Sequence, residues 1–203
     1  MLSLDKRMMP SAGTTVMVVV FSLLVACTFL PLAATHKGWG QPLLAATVRP
    51  QLLRFGVHVT PEHTPLSDPE RFIGYHAGLD YEIFPSERER DVPVFAICPG
   101  RIQYEKWVNG YGGVLIEECL LNGNPVTVLY GHLDSTRFSV RGKDTVQTSQ
   151  PLGVLAPYRS HESDGNRKHL HLEVHRGADI QFLGYVQDPA ELKAYIDPAN
   201  MLQ

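Results

Sequence analysis

The chain has 203 residues, of which 44% are hydrophobic and 19% charged, with a formal net charge of -3. That balance fits one folded domain with short appendages and excludes wholesale disorder. No basic block stands out, since Arg88-Glu89-Arg90-Asp91 is mixed in sign, so nucleic acid is not an expected partner.

The N-terminus differs in kind from the rest. Lys6 and Arg7 precede an almost uninterrupted apolar run from Thr14 to Ala34. A bilayer-spanning helix takes about 20 apolar residues, and basic residues before it favour a cytoplasmic N-terminus. Residues 1–35 are therefore expected to be a membrane anchor or a cleaved signal segment. Leu24-Val25-Ala26-Cys27 adds a third form, a lipoprotein box with Cys27 as lipid acceptor. All three place the remainder of the chain outside the cytoplasmic membrane, on the periplasmic or cell-wall side, or secreted if cleaved. Residues 36–50 carry Gly, Pro and small residues without periodicity and read as a tether. Residues 51–203 are expected to fold.

Within that region the signals are β. Apolar or alternating runs recur at Leu79–Ile83, Val92–Ile97, Arg101–Val108, Val114–Leu120, Val126–Leu129 and His169–Val174. Turn residues separate them at Pro99-Gly100, Asn109-Gly110, Gly112-Gly113 and Asn122-Gly123-Asn124-Pro125. Pro189–Ile196 suggests one short helix, ended by Asp197-Pro198. The expected fold is mainly β, a compact and mostly antiparallel domain with long loops. Cys98 and Cys119 flank two of the strands, and either a disulfide or two buried thiols fits their placement.

Lys168-His169-Leu170-His171-Leu172-Glu173-Val174-His175 alternates strictly. On a strand, Leu170, Leu172 and Val174 face a core while His169, His171, Glu173 and His175 share the other face. Imidazoles two apart on one rigid strand can converge on a metal or shuttle protons. His76-Ala77-Gly78-Leu79-Asp80 sets a His and an Asp four apart, a spacing that brings both to one face on a helix or a strand. Tyr130-Gly131-His132-Leu133 ends another strand with a His. His-Glu-x-x-His and Gly-x-Ser-x-Gly are both absent, so neither a helical zinc site nor a serine nucleophile is supported. His36, His58, His63 and His161 read as tether, loop or groove residues, and Glu173 as solvated.

In this order, His76-x-x-x-Asp80, Tyr130-Gly131-His132-Leu133 and His169-x-His171 resemble the lysostaphin-type (LytM-like) zinc metallopeptidases of peptidoglycan. Val92–Ala96 with Gly100, Gly110–Gly113, Gly153 and Asp197-Pro198 extend the resemblance from about Phe55 to Leu202. It implies that His76, Asp80 and His171 bind one Zn2+ per chain and that His132 and His169 are the catalytic pair. It implies a zinc-dependent endopeptidase cutting peptidoglycan peptide crosslinks. The alternative is a non-catalytic peptidoglycan-binding or hydrolase-activating module on the same fold. The loop 159–167 and the segment 144–150 depart from the family pattern and are expected to edge the substrate groove.

Overall fold

A computed structural model describes residues 39–67 and 71–202. The expected anchor or signal segment, Cys27 and His36 lie outside the described residues. Among those described, no helix is long and apolar enough to cross a membrane. Among the described residues, twelve strands run in chain order: β1 (His58–Val59), β2 (Gly74–His76), β3 (Gly78–Glu82), β4 (Pro93–Phe95), β5 (Gly100–Val108), β6 (Gly112–Leu121), β7 (Asn124–Leu133), β8 (Thr145–Val146), β9 (Pro151–Val154), β10 (His169–Arg176), β11 (Tyr185–Val186) and β12 (Tyr195–Ile196).

The main sheet has seven strands, ordered β12-β10-β7-β6-β5-β8, with β3 also paired to β10. A three-stranded sheet, β1-β2-β11, and a β4-β9 pair complete it. The paired strands run antiparallel, as the alternating runs and tight turns require. Each expected run from Leu79 to Val174 contains a strand, and β7 continues four residues beyond Leu129 to carry His132 inside it.

β10 lies between β7 on one edge and β3 on the other. Its Leu170, Leu172 and Val174 are fully buried in a core with Leu79 and Tyr81 of β3 and Val126, Val128 and Tyr130 of β7. The opposite face is covered too. Tyr111, Val114, Ile116 and Leu129 form a second apolar cluster there. The alternation thus separates an apolar core from a covered polar layer rather than from solvent. Glu173 is 1% exposed, which corrects its reading as a solvated residue.

Two further expectations change. The segment read as a tether is packed onto the domain from Trp39 onward. Gly40 N donates to Ile97 O, Phe95 N donates to Pro42 O, and Leu43 and Ala46 sit in the core. Buried Arg49 forks onto Glu87 at 2.6 and 2.7 Å. An irregular extended stretch has no period to read, so only its tertiary partners reveal it. The C-terminal helix is a 3-10 helix, Pro189–Ala194, started by a reciprocal Asp188–Glu191 capping box. Tyr195 and Ile196 leave it to pair with Val174 and His175 of β10. Cys98 and Cys119 are joined by a disulfide.

Candidate metal centre

The register of three strands assembles the site. On β10, His171 is paired with Asp80 of β3 on one side and Gly131 of β7 on the other. β2 ends at His76, and Ala77 separates it from β3. Glycines make room for the His171 ring. A Cβ on Gly78 would stand 2.6 Å from His171 Cε1, and one on Gly131 would stand 2.8 Å from Cδ1 of the Tyr111 ring that packs over His171.

Three donor atoms converge. His76 Nε2 lies 3.0 Å from His171 Nδ1. Asp80 Oδ1 lies 3.0 Å from His171 Nδ1 and 3.3 Å from His76 Nε2. Donors about 2.0–2.1 Å from one tetrahedral zinc ion stand roughly 3.3 Å apart, so this His2Asp set fits a divalent cation with a fourth position open. The outer contacts agree. His76 Nδ1 faces the Arg54 carbonyl oxygen at 3.3 Å, which fixes its proton there and leaves Nε2 as a lone-pair donor. His171 turns Nε2 toward Glu173 Oε2, 3.6 Å away, and so presents Nδ1 to the same point.

Electrostatics follow from burial. Burial opposes charge on Asp80, but His169, His76 and Arg167 outweigh it and hold the carboxyl well below its usual range. Burial lowers His76 below an ordinary histidine. Burial also disfavours the His171 cation, yet the Asp80 and Glu173 carboxylates raise that ring to about 9. A cation binding between these groups therefore displaces a proton from His171.

His169 and His132 stand beside this cluster with ring centroids 4.3 Å apart. His169 Nδ1 faces the Arg167 carbonyl oxygen at 2.9 Å, and its Nε2 is 3.3 Å from Asp80 Oδ2. With Nδ1 turned to that carbonyl, Nε2 is the nitrogen aimed into the site. His132 takes φ 62, a left-handed conformation costly for a non-glycine residue. Two backbone bonds hold it: His132 N donates to Tyr111 O, and Ala156 N donates to His132 O. Burial keeps the His132 ring well below an ordinary histidine, hence neutral.

Residues 74–182 match the family model of peptidase family M23. The chain belongs to peptidase family M23. The match contains all five clustered residues. Among solved structures, the catalytic domain of the antimicrobial peptidase lysostaphin from Staphylococcus simulans is 18% identical, with a TM-score of 0.52, over 76% of this chain and 92% of that one. The structure of the SpoIIQ-SpoIIIAH pore forming complex is 15% identical, with a TM-score of 0.54, over 82% of this chain and 91% of that one. At such identities these likenesses show the fold. No curated protein sequence matches the chain significantly.

In this M23 chain the cluster opens into a cleft of about 500 Å³. Phe72, Ile73, Phe182, Leu183 and Tyr185 give it apolar lining, and Arg159 a cationic side chain. Loop 159–167 lines the cleft as expected. Segment 144–150 does not; its Thr145 and Val146 form β8 at the far edge of the main sheet. His58, His63 and His161 are exposed and outside the cleft lining. Sequence reading placed Arg167 only at the groove edge, gave Tyr111 no part in the site, and missed the walls at 71–73 and 182–185. Arg167 alone carried a local signal, two residues before His169.

Proposed function

We propose that the chain is a zinc-dependent endopeptidase that hydrolyses peptide crosslinks of peptidoglycan outside the cytoplasmic membrane. The observation that carries this reading is the meeting of His76 Nε2, Asp80 Oδ1 and His171 Nδ1 beside His169 Nε2. Those three donors would hold zinc, which at such a site polarises a carbonyl and makes water a nucleophile near neutral pH.

The protein's own groups supply the rest. The cleft seats an extended peptide, with apolar side chains against Phe72, Phe182 and Tyr185. His169 Nε2 takes the proton of the attacking water, its ring held by the Nδ1–H bond to Arg167 O. Neutral His132 offers a ring N–H to the oxygen that becomes negative in the tetrahedral intermediate. His169 then returns its proton to the leaving amine. We further propose that the apolar run Thr14–Ala34 holds the domain at the membrane or directs its export.

Purified peptidoglycan incubated with the zinc-loaded protein should release fragments with new amine and carboxylate ends, identified by mass spectrometry. A chelator should abolish release and added zinc restore it. Zinc-loaded protein that binds peptidoglycan but cuts no peptide bond would overturn the enzyme reading in favour of a binding or activating module.

A further inference from the structure

A guanidinium is an unexpected neighbour for a cation site, because like charges repel through a low-dielectric interior. Arg167 is nonetheless built in, with its side chain 17% exposed. Its Nη2 donates to Asp80 Oδ2 at 2.6 Å. The same guanidinium donates to Glu82 from Nε at 3.0 Å and from Nη2 at 2.8 Å. Asp80 and Glu82 are two residues apart on β3 and share its site face. Arg167 reaches them from the loop that enters β10, where His169 is paired with Glu82.

A carboxylate beside a divalent cation can bind through one oxygen or two, and rotates freely unless its second oxygen is occupied. Here Oδ2 is occupied by Arg167, and Arg167 is locked from behind by Glu82. Only Oδ1 is left for His76 and His171 to share with an ion. We infer that Arg167 is a positioning residue of the metal centre, which fixes Asp80 to present a single oxygen, with Glu82 as its counter-clamp. This rests on the metal-binding part of the proposed function.

Charge and positioning act in opposite directions, so the sign decides. If Arg167 were only a nearby positive charge, Arg167→Met would tighten divalent-cation binding. As a positioning residue, its loss weakens binding, and partners of metal ligands typically contribute about 10–100-fold in affinity. The full chain and its Arg167→Met and Arg167→Lys variants should be titrated with zinc against a chromogenic chelator at one pH and salt concentration. Cobalt(II) absorption reports coordination geometry independently of activity, and thermal melts of the metal-free proteins report folding.

The expected result is a 10–100-fold loss for Arg167→Met with an altered cobalt spectrum. Arg167→Lys, which keeps the charge but not the fork, should fall between it and the parent. Unchanged or tighter zinc binding by Arg167→Met, with an unchanged cobalt spectrum, overturns the inference. If Arg167→Met does not melt cooperatively, Arg167→Lys carries the test, and parental affinity in that variant overturns it. A parent that binds zinc but hydrolyses nothing sinks the enzyme reading and leaves Arg167 to be judged on affinity. A parent that binds no zinc sinks both.

Discussion

At the residue scale, the proposed ligand and proton-transfer roles separate by what each nitrogen faces. His171 Nδ1 is within 3.0 Å of two other donors, so His171→Ala should lose most bound zinc by elemental analysis. His169 and His132 border the cluster without completing it. Their alanine variants should keep near-parental zinc and lose peptide hydrolysis by about 10²–10⁴-fold, the usual contribution of a proton-transfer group. Parental activity in either variant would remove that residue's role. Outside the site, Glu117 is fully buried and its Oε2 accepts from Tyr130 Oη at 2.7 Å. Burial raises its pKa to about 8. In the unfolded chain this group ionises near 4.5, while in the folded chain it stays neutral up to about 8. Folding therefore loses stability as pH rises between those values, and the loss is complete above about 8. Glu117→Gln cannot ionise. Its stability relative to the parent should grow across that window and then level off, by at most roughly 5 kcal/mol at about 1.4 kcal/mol per pKa unit. Denaturant melts at pH 5, 7 and 8.5 check this, and a pH-independent difference would contradict it.

At the element scale, β10 is the strand on which fold and site depend together. One face supplies Leu170, Leu172 and Val174 to the core, and the other supplies His169, His171 and Glu173 to the polar layer. Both edges are paired, so its position is fixed by backbone bonds on each side. Leu172 is 0% exposed and opposes Leu79 and Tyr130. Leu172→Ala should cost about 2–5 kcal/mol, the range for a buried leucine that leaves a cavity. At roughly 2–4 °C per kcal/mol for a domain of this size, that lowers Tm by about 4–20 °C. Because His171 is the adjacent residue, zinc affinity should weaken in the same variant. A Tm within about 2 °C of the parent would show that the core closes around the gap.

At the scale of the whole molecule, two links hold the chain together beyond its sheets. The Cys98–Cys119 disulfide spans 21 positions. A loop of that length contributes about 3 kcal/mol by restricting the unfolded chain. The pair Cys98→Ala with Cys119→Ala, or reduction of the parent, should lower Tm accordingly while leaving zinc binding intact. The second link is the segment 40–50, which hydrogen-bonds to the strand region at Phe95 and Ile97. The proposed role of the apolar run Thr14–Ala34 as anchor or export signal belongs to this scale. Cell fractionation with N-terminal sequencing tests this: a membrane-bound product with its original N-terminus supports the anchor. A soluble product starting near Thr35 or Thr47 replaces it with a cleaved signal, and a lipid-modified Cys27 with a lipoprotein.

The sequence by itself determined the β class, most strand positions and the five clustered residues. Strand alternation and turn residues are local, and His76-x-x-x-Asp80, Tyr130-Gly131-His132 and His169-x-His171 each lie within a few residues of chain. Tertiary structure decided what depends on partners distant in sequence. Glu173 is buried because β7 and β3 flank β10 and Tyr111 packs over its polar face, none of which its neighbours in sequence reveal. Residues 40–50 are fixed in part by a strand region more than 50 positions downstream, at Phe95 and Ile97, and carry no period of their own. Tyr195 and Ile196 leave a helical turn because β10 offers them an open edge. Arg167 acquires its place only when its loop meets Asp80 and Glu82, more than 80 positions earlier in the chain.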